Sequence, residues 1–172
     1  YTPAEVARAI NNSIKILNLL TGFKYTTERV FTQPGRLIYD VPKTIAIPYK
    51  VDLDGQVLQK TSFFALAHSA PRWMTETSSS TGRATEQWCP LGISKIILHP
   101  ADSVGGGIVS ITGVSDPVPL VNDADVVGIP NEFADAIEDH SAHILMVKCG
   151  GVVAVQAMYA YSSFLGRMNE LK

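Results

Sequence analysis

The sequence predicts an α+β protein: a small helical bundle of one N-terminal and two C-terminal helices, carrying a large antiparallel β insert. Three observations predict it. Apolar residues recur at helical spacing over residues 3–21. From Phe23 to about Pro119 the period changes to short β-branched or aromatic runs separated by turn residues. Beyond Pro130 the helical spacing returns and holds to the end. The expected organisation is one domain with an insertion, residues 1–22 and 128–172 forming the helical portion and 23–127 the β-rich insert.

Thr2-Pro3-Ala4-Glu5 opens the first helix with a cap residue, a proline at the first helical position and a glutamate three after the cap. Val6, Ile10, Ile14, Leu17 and Leu20 form its stripe, and Gly22 stops it. The expected strands are 25–32, 36–41, 44–53, 56–60, 94–99 and 107–114. Asp54-Gly55 is a hairpin signal, Pro34-Gly35 a turn, and Gly105-Gly106-Gly107 reads as a glycine-rich hairpin turn. The strands are expected to be antiparallel, because no helical crossover separates them.

The polar stretch 75–87 reads as a mobile loop and supplies a candidate inter-subunit loop: Thr77, Ser78, Ser79, Ser80, Thr81, Gly82 and Arg83. One late helix, 131–148, carries Phe133, Ala134, Ile137, His140/Ser141, Ile144 and Leu145. The other, 152–171, carries Val153, Ala157, Ala160/Tyr161, Phe164 and Met168. None of the three stripes can be buried alone, so Ile10, Ile14 or Leu17 should meet Ile137, Ile144 or Phe164.

Of the 172 residues, 46% are hydrophobic and 17% charged, which favours an assembly subunit whose surface partners cover. A net charge of −2 removes the electrostatic footprint of a phosphate binder. Cys89 and Cys149 fit no metal or redox spacing and read as free thiols. No apolar run approaches the ~20 residues that span a bilayer.

The run from Leu120 to Val147 gathers Asp123, Asp125, Glu132, Asp135, Glu138, Asp139, His140 and His143. Its carboxylates suit the positive N-terminus of a helix, whereas its histidines point about 60° apart around the axis, too far to converge on zinc. The run is therefore expected to hold no metal and do no catalysis. His68 and His99 lack a GxSxG elbow beside them. Trp73 and Trp88 lack interleaved cations and read as core or interface aromatics. No catalytic residue, cofactor or metal ligand stands out, so the chain is not expected to be an enzyme.

The order of the punctuation carries more. Tyr39-Val41-Pro42, Gly55-Leu58, Pro71-Trp73, Leu98-Pro100, Pro117-Leu120 and Ile129-Pro130-Phe133 follow one another along nearly the whole chain. That series resembles the head-to-tail adaptor (connector) proteins of tailed bacteriophages. Thr112-Gly113, where an aromatic is common, and "HPADS", where a second proline is common, depart from it.

The resemblance implies a structural virion protein of the neck, at the head–tail junction, assembled in the host cytoplasm. It further implies a ring homo-oligomer, usually of twelve copies, that joins the portal protein to a tail or nozzle protein and lines the DNA channel. DNA would pass without sequence-specific binding, and no membrane is involved. Because the C-terminal segment of such proteins reaches the portal, Tyr159, Leu165 and Leu171 are the candidate portal interface. The alternatives are another neck or tail structural protein, or a small hydrolase or ligand-binding domain using His68, His99 or the acidic run.

Overall fold

A computed structural model describes residues 1–122, 125 and 128–170. It divides into two compact units: Tyr1–Phe23 with Asp116–Lys172, and Lys24–Ser115.

The helical unit begins with α1, Pro3–Thr21. Thr2 and Glu5 close a capping box across its first turn, and Gly22, at φ 64°, returns its N–H to the Asn18 carbonyl at 2.7 Å. A 3₁₀ turn, Asn131–Phe133, leads into α4 (Ala134–Cys149), and α5 (Gly151–Glu170) follows after Gly150. Gly150 and Gly151 both have positive φ, which lets the chain reverse between two long helices.

Helix α4 is the middle of the layer, packing against α1 and α5. Ile14 and Leu17 share one buried cluster with Phe133, Ala136, Ile137, Phe164 and Met168, so the three stripes meet as expected. Several expected stripe positions are wrong: Val6, Leu20, Val153 and Tyr161 are exposed, and Ala134 faces water where Ala136 is buried. The tighter 3₁₀ entry turns α4 relative to a helix started at Pro130.

The helical unit also reaches further back than residue 128. The segment from Asp116 lies along α1, where the Asn11 amide donates to the Leu120 carbonyl at 3.0 Å and accepts the Leu120 N–H at 2.8 Å. Lys15 and Asp116 pair at 2.9 Å on the same side. The insert therefore ends at Ser115 instead of 127.

The β unit contains β1 (Tyr25–Phe31), β2 (Ile38–Asp40), β3 (Ile45–Leu53), β4 (Gln56–Val57), β5 (Gln59–Lys60), β6 (Gln87–Leu91), β7 (Lys95–His99) and β8 (Ile108–Ser115). Two short helices, α2 (Phe63–Ser69) and α3 (Ser78–Thr81), lie between β5 and β6. One sheet has the order β1-β8-β3-β4 and the other β2-β7-β6-β5. Their inner faces share a core of Val51, Val109 and Ile111 with Tyr39, Trp88, Ile96 and Leu98. Alternate residues of the second sheet, Cys89 and Ile97, point the other way and are covered by Leu66 and Trp73, which makes a third layer.

Three expectations fail here. The run 56–60 is two strands in different sheets, because buried Leu58 turns into the core and its N–H bonds the Val51 carbonyl at 2.9 Å. Strands β5 and β6 pair in parallel, with the α2 and α3 segment as their crossover. Gly105–Gly107 is no hairpin turn, since β7 and β8 belong to different sheets. The glycines instead let the crossing chain press close to Pro34 and Thr32. The Asp54-Gly55 hairpin is present, with both residues at positive φ.

Candidate functional site

The acidic run folds as the start of a helix with partners. The Asp125 carboxylate accepts the Val121 and Asn122 N–H groups at 2.7 and 2.9 Å, and those bonds, Asn122 first, hold its pKa below the usual range. Arg167 of α5 bridges Asp139 at 2.9 Å and Asp135 at 2.8 Å. Asp123 lies outside the described residues. Among the described residues no three His, Cys, Asp or Glu side chains are grouped as a metal site would need.

The two histidines are built into the packing of the three helices. The Ser13 hydroxyl donates to the Ala9 carbonyl at 2.8 Å, so its oxygen is free to accept from Nδ1 of His140 at 2.9 Å. Ser141 bonds the same hydroxyl at 2.9 Å. His143 donates from Nδ1 to the Ala157 carbonyl at 2.8 Å. The His140 ring lies 4.7 Å from that of Phe164, and burial, with His143 nearby, pushes its pKa down. These groups join α1, α4 and α5.

The exposed surfaces of the helical unit are more informative. No Asp, Glu, Lys or Arg occurs from Cys149 to Gly166. Ala157, Phe164 and Met168 bury one side of α5. The opposite side presents Val152, Val155 and Tyr159, the last 74% exposed, while exposed Met158 and Leu165 lie on a flank. Tyr159 and Leu165 are both exposed but point about 120° apart around the helix axis, and Leu171 lies outside the described residues. A second feature is a groove of about 610 Å³ between α1 and α4, with Val6, Ile10, Ile137 and Leu145 on its apolar walls and Glu138 beside them.

In the β unit, residues 77–83 are not the mobile loop that their polarity suggests. Thr77 caps α3 in a reciprocal pair with Ser80, and Gly82, at φ 66°, ends it. The Ser78 N–H reaches the Ala101 carbonyl at 2.7 Å, and its hydroxyl pairs with Ser103 at 2.7 Å. Buried Thr85 donates to the Pro100 carbonyl at 2.7 Å. Hydroxyl groups anchor the segment where apolar ones were looked for. Ser79, Ser80, Gly82 and Arg83 remain exposed on it, and Thr81 half-buried.

Beside it is a polar cavity of about 450 Å³ that includes Ser69, Glu76, Arg83, Glu86 and His99. His99 Nε2 meets Glu76 at 2.9 Å, but among the described residues no serine or cysteine bonds the ring, so a nucleophile–base pair is not assembled. His68 stands exposed on α2, apart from that set.

Helix α2 is not among the elements the sequence predicts, although Ser62 is its cap and its hydroxyl oxygen accepts the Ala65 N–H at 3.1 Å. Phe64 on this helix is 84% exposed. Among the described residues no helix is long and apolar enough to cross a membrane. No protein-family model matches the chain, and no curated protein is significantly similar to it.

Proposed function

We propose that this protein is a head-to-tail adaptor of a tailed bacteriophage, one subunit of a ring of about twelve copies in the virion neck. The ring joins the portal to the tail or nozzle and lines the channel through which DNA passes. The observation that supports this best is the exposed surface of α5, where Val152, Val155, Met158, Tyr159 and Leu165 stand in water on a stretch without a single charge. Monomers seldom leave such a patch uncovered, and an assembly subunit covers it with a partner. The order of motifs along the chain suggests the partner: the portal takes the exposed surface of α5, contacting Tyr159 and Leu165.

The exposed residues of the Thr77–Arg83 segment then serve a neighbouring subunit or the next tail component. A net charge of −2 suits the channel, because a mildly acidic wall lets the phosphate backbone slide without sticking. The role needs no catalytic residue, cofactor or metal.

Capture on immobilised portal rings tests the proposal. The wild-type chain should be retained, and the double variant Tyr159→Asp with Leu165→Asp should be released while its far-ultraviolet spectrum and melting curve stay unchanged. A wild-type chain that is not retained, or a folded double variant retained equally well, counts against it.

A further inference from the structure

Two surfaces of this chain are complementary in character: an apolar groove beside a carboxylate, and an exposed aromatic ring with a cation beyond its helix. The first is the α1/α4 groove, apolar along Val6, Ile10, Ile137 and Leu145, with the exposed carboxylate of Glu138 at its side. Glu138 forms no ion pair with a described residue. The second is the outer side of α2. There Phe64 packs edge-on against Phe63 at 6.1 Å, and Phe63 packs edge-on against buried Trp73 at 5.7 Å. The exposed ring thus stands on a rigid base. His68 lies one turn further along the same helix face, and exposed Arg72 follows the helix end without an ion-pair partner among the described residues.

We infer that these are the two halves of one interface between copies: Phe64 of one copy seats in the α1/α4 groove of the next, with Arg72 opposite Glu138. Charge selects a second copy as the occupant. The groove offers an apolar slot beside a free carboxylate, and α2 offers an exposed aromatic ring with a free cation just beyond the helix end. The outer face of α5 brings no charge to such a contact. A ring burying roughly 150–250 Å² is the usual anchor of a protein interface, with weaker polar contacts around it. The contact is heterologous, so a pair of copies still has one unused ring and one unused groove. Copies add until the rotation closes. The inference rests on the adaptor reading for the closed ring alone; the contact itself needs neither portal nor tail.

Sedimentation velocity up to ~0.5 mM chain, a range that detects weak self-association, tests it. The wild-type chain should form larger species as concentration rises. Phe64→Asp, which removes the ring, and Ala134→Tyr, which fills the groove from an exposed position, should each remain monomeric. Mixed in equal amounts, the two variants should give dimers and nothing larger, since one intact ring then meets one intact groove. Arg72→Glu and Glu138→Arg should each weaken association about tenfold, and together restore it.

A wild-type chain that stays monomeric overturns the inference, as does a mixture that stays monomeric or either variant assembling normally. Both altered positions are exposed, and unchanged melting curves verify that the variants fold; the charge swap is a second route if one does not. Portal capture is scored separately. Head-to-tail association without portal binding would keep this interface and sink the adaptor proposal.

Discussion

The two units are stabilised in different ways. In the β unit, two sheets close over a dry core in which Trp88, Ile96, Leu98, Val109 and Ile111 are almost wholly buried. In the helical unit, a single layer of three helices buries Leu17 and Phe164 but also Ser13, Asn18, His140 and Ser141. A sandwich can exclude water from both sheets' inner faces, whereas a single helical layer leaves each helix an outer side in water. The same limited burial leaves α5 with its apolar outer face and α1 and α4 with their groove. Surfaces for assembly therefore arise where the fold cannot bury everything it carries.

The contrast can be broken from the β side first. Trp88→Ala should cost about 3–5 kcal/mol, the largest single loss expected, because it empties the largest fully buried side chain. Denaturant unfolding followed by circular dichroism measures it, and a loss below that of Leu17→Ala would reverse the comparison. Leu17→Ala, in the thinner helical layer, should cost about 2–3 kcal/mol in the same assay, since neighbouring helices can shift to close part of the cavity.

Gly113→Ala tests how tightly β8 and β3 approach at the bulge. An added Cβ would meet the Ile47 carbonyl oxygen at 2.4 Å and Ile45 Cγ2 at 2.5 Å. The strands must part there, at about 1–3 kcal/mol, and the melting temperature of the β unit should fall.

Smaller, but specific to the helical unit, is a dependence on pH. Burial and His143 depress the His140 pKa, so the unfolded chain takes up its proton first as pH falls. The contribution of neutral His140 is complete above the unfolded value of about 6.5 and declines below it, down to the folded value. His140→Gln should flatten that part of the stability curve between pH 7 and 5, and an unchanged slope would remove His140 from the account. Smallest in stability is Tyr159→Asp, expected to stay within about 0.5 kcal/mol while portal capture is lost.

Towards its end α5 mixes core and outward residues. Phe164, 1% exposed, and Met168 belong to the core, while Leu165 between them points outward. Truncating the helix there would remove both, so only substitutions can separate folding from docking.

The sequence by itself determined the parts governed by local rules. The Thr2–Glu5 cap and Gly22 stop bound α1, Asp54-Gly55 made its hairpin, and the apolar period placed α4 and α5 to within a few residues, because capping, positive φ and helical spacing act over one turn of chain. Local polarity also marked His140 as lying on the apolar side of its helix. Tertiary structure alone decided what the chain does with those elements. It sent β4 and β5 to different sheets through Leu58, turned the polar 77–83 segment into a capped helix held by Ala101 and Ser103, and made Gly105–Gly107 a crossing. It also brought Val6 and Ile10 beside Ile137 and Leu145 to form a groove. These depend on contacts between residues far apart in sequence, whose free energy is set by what packs on them and not by their neighbours in the chain.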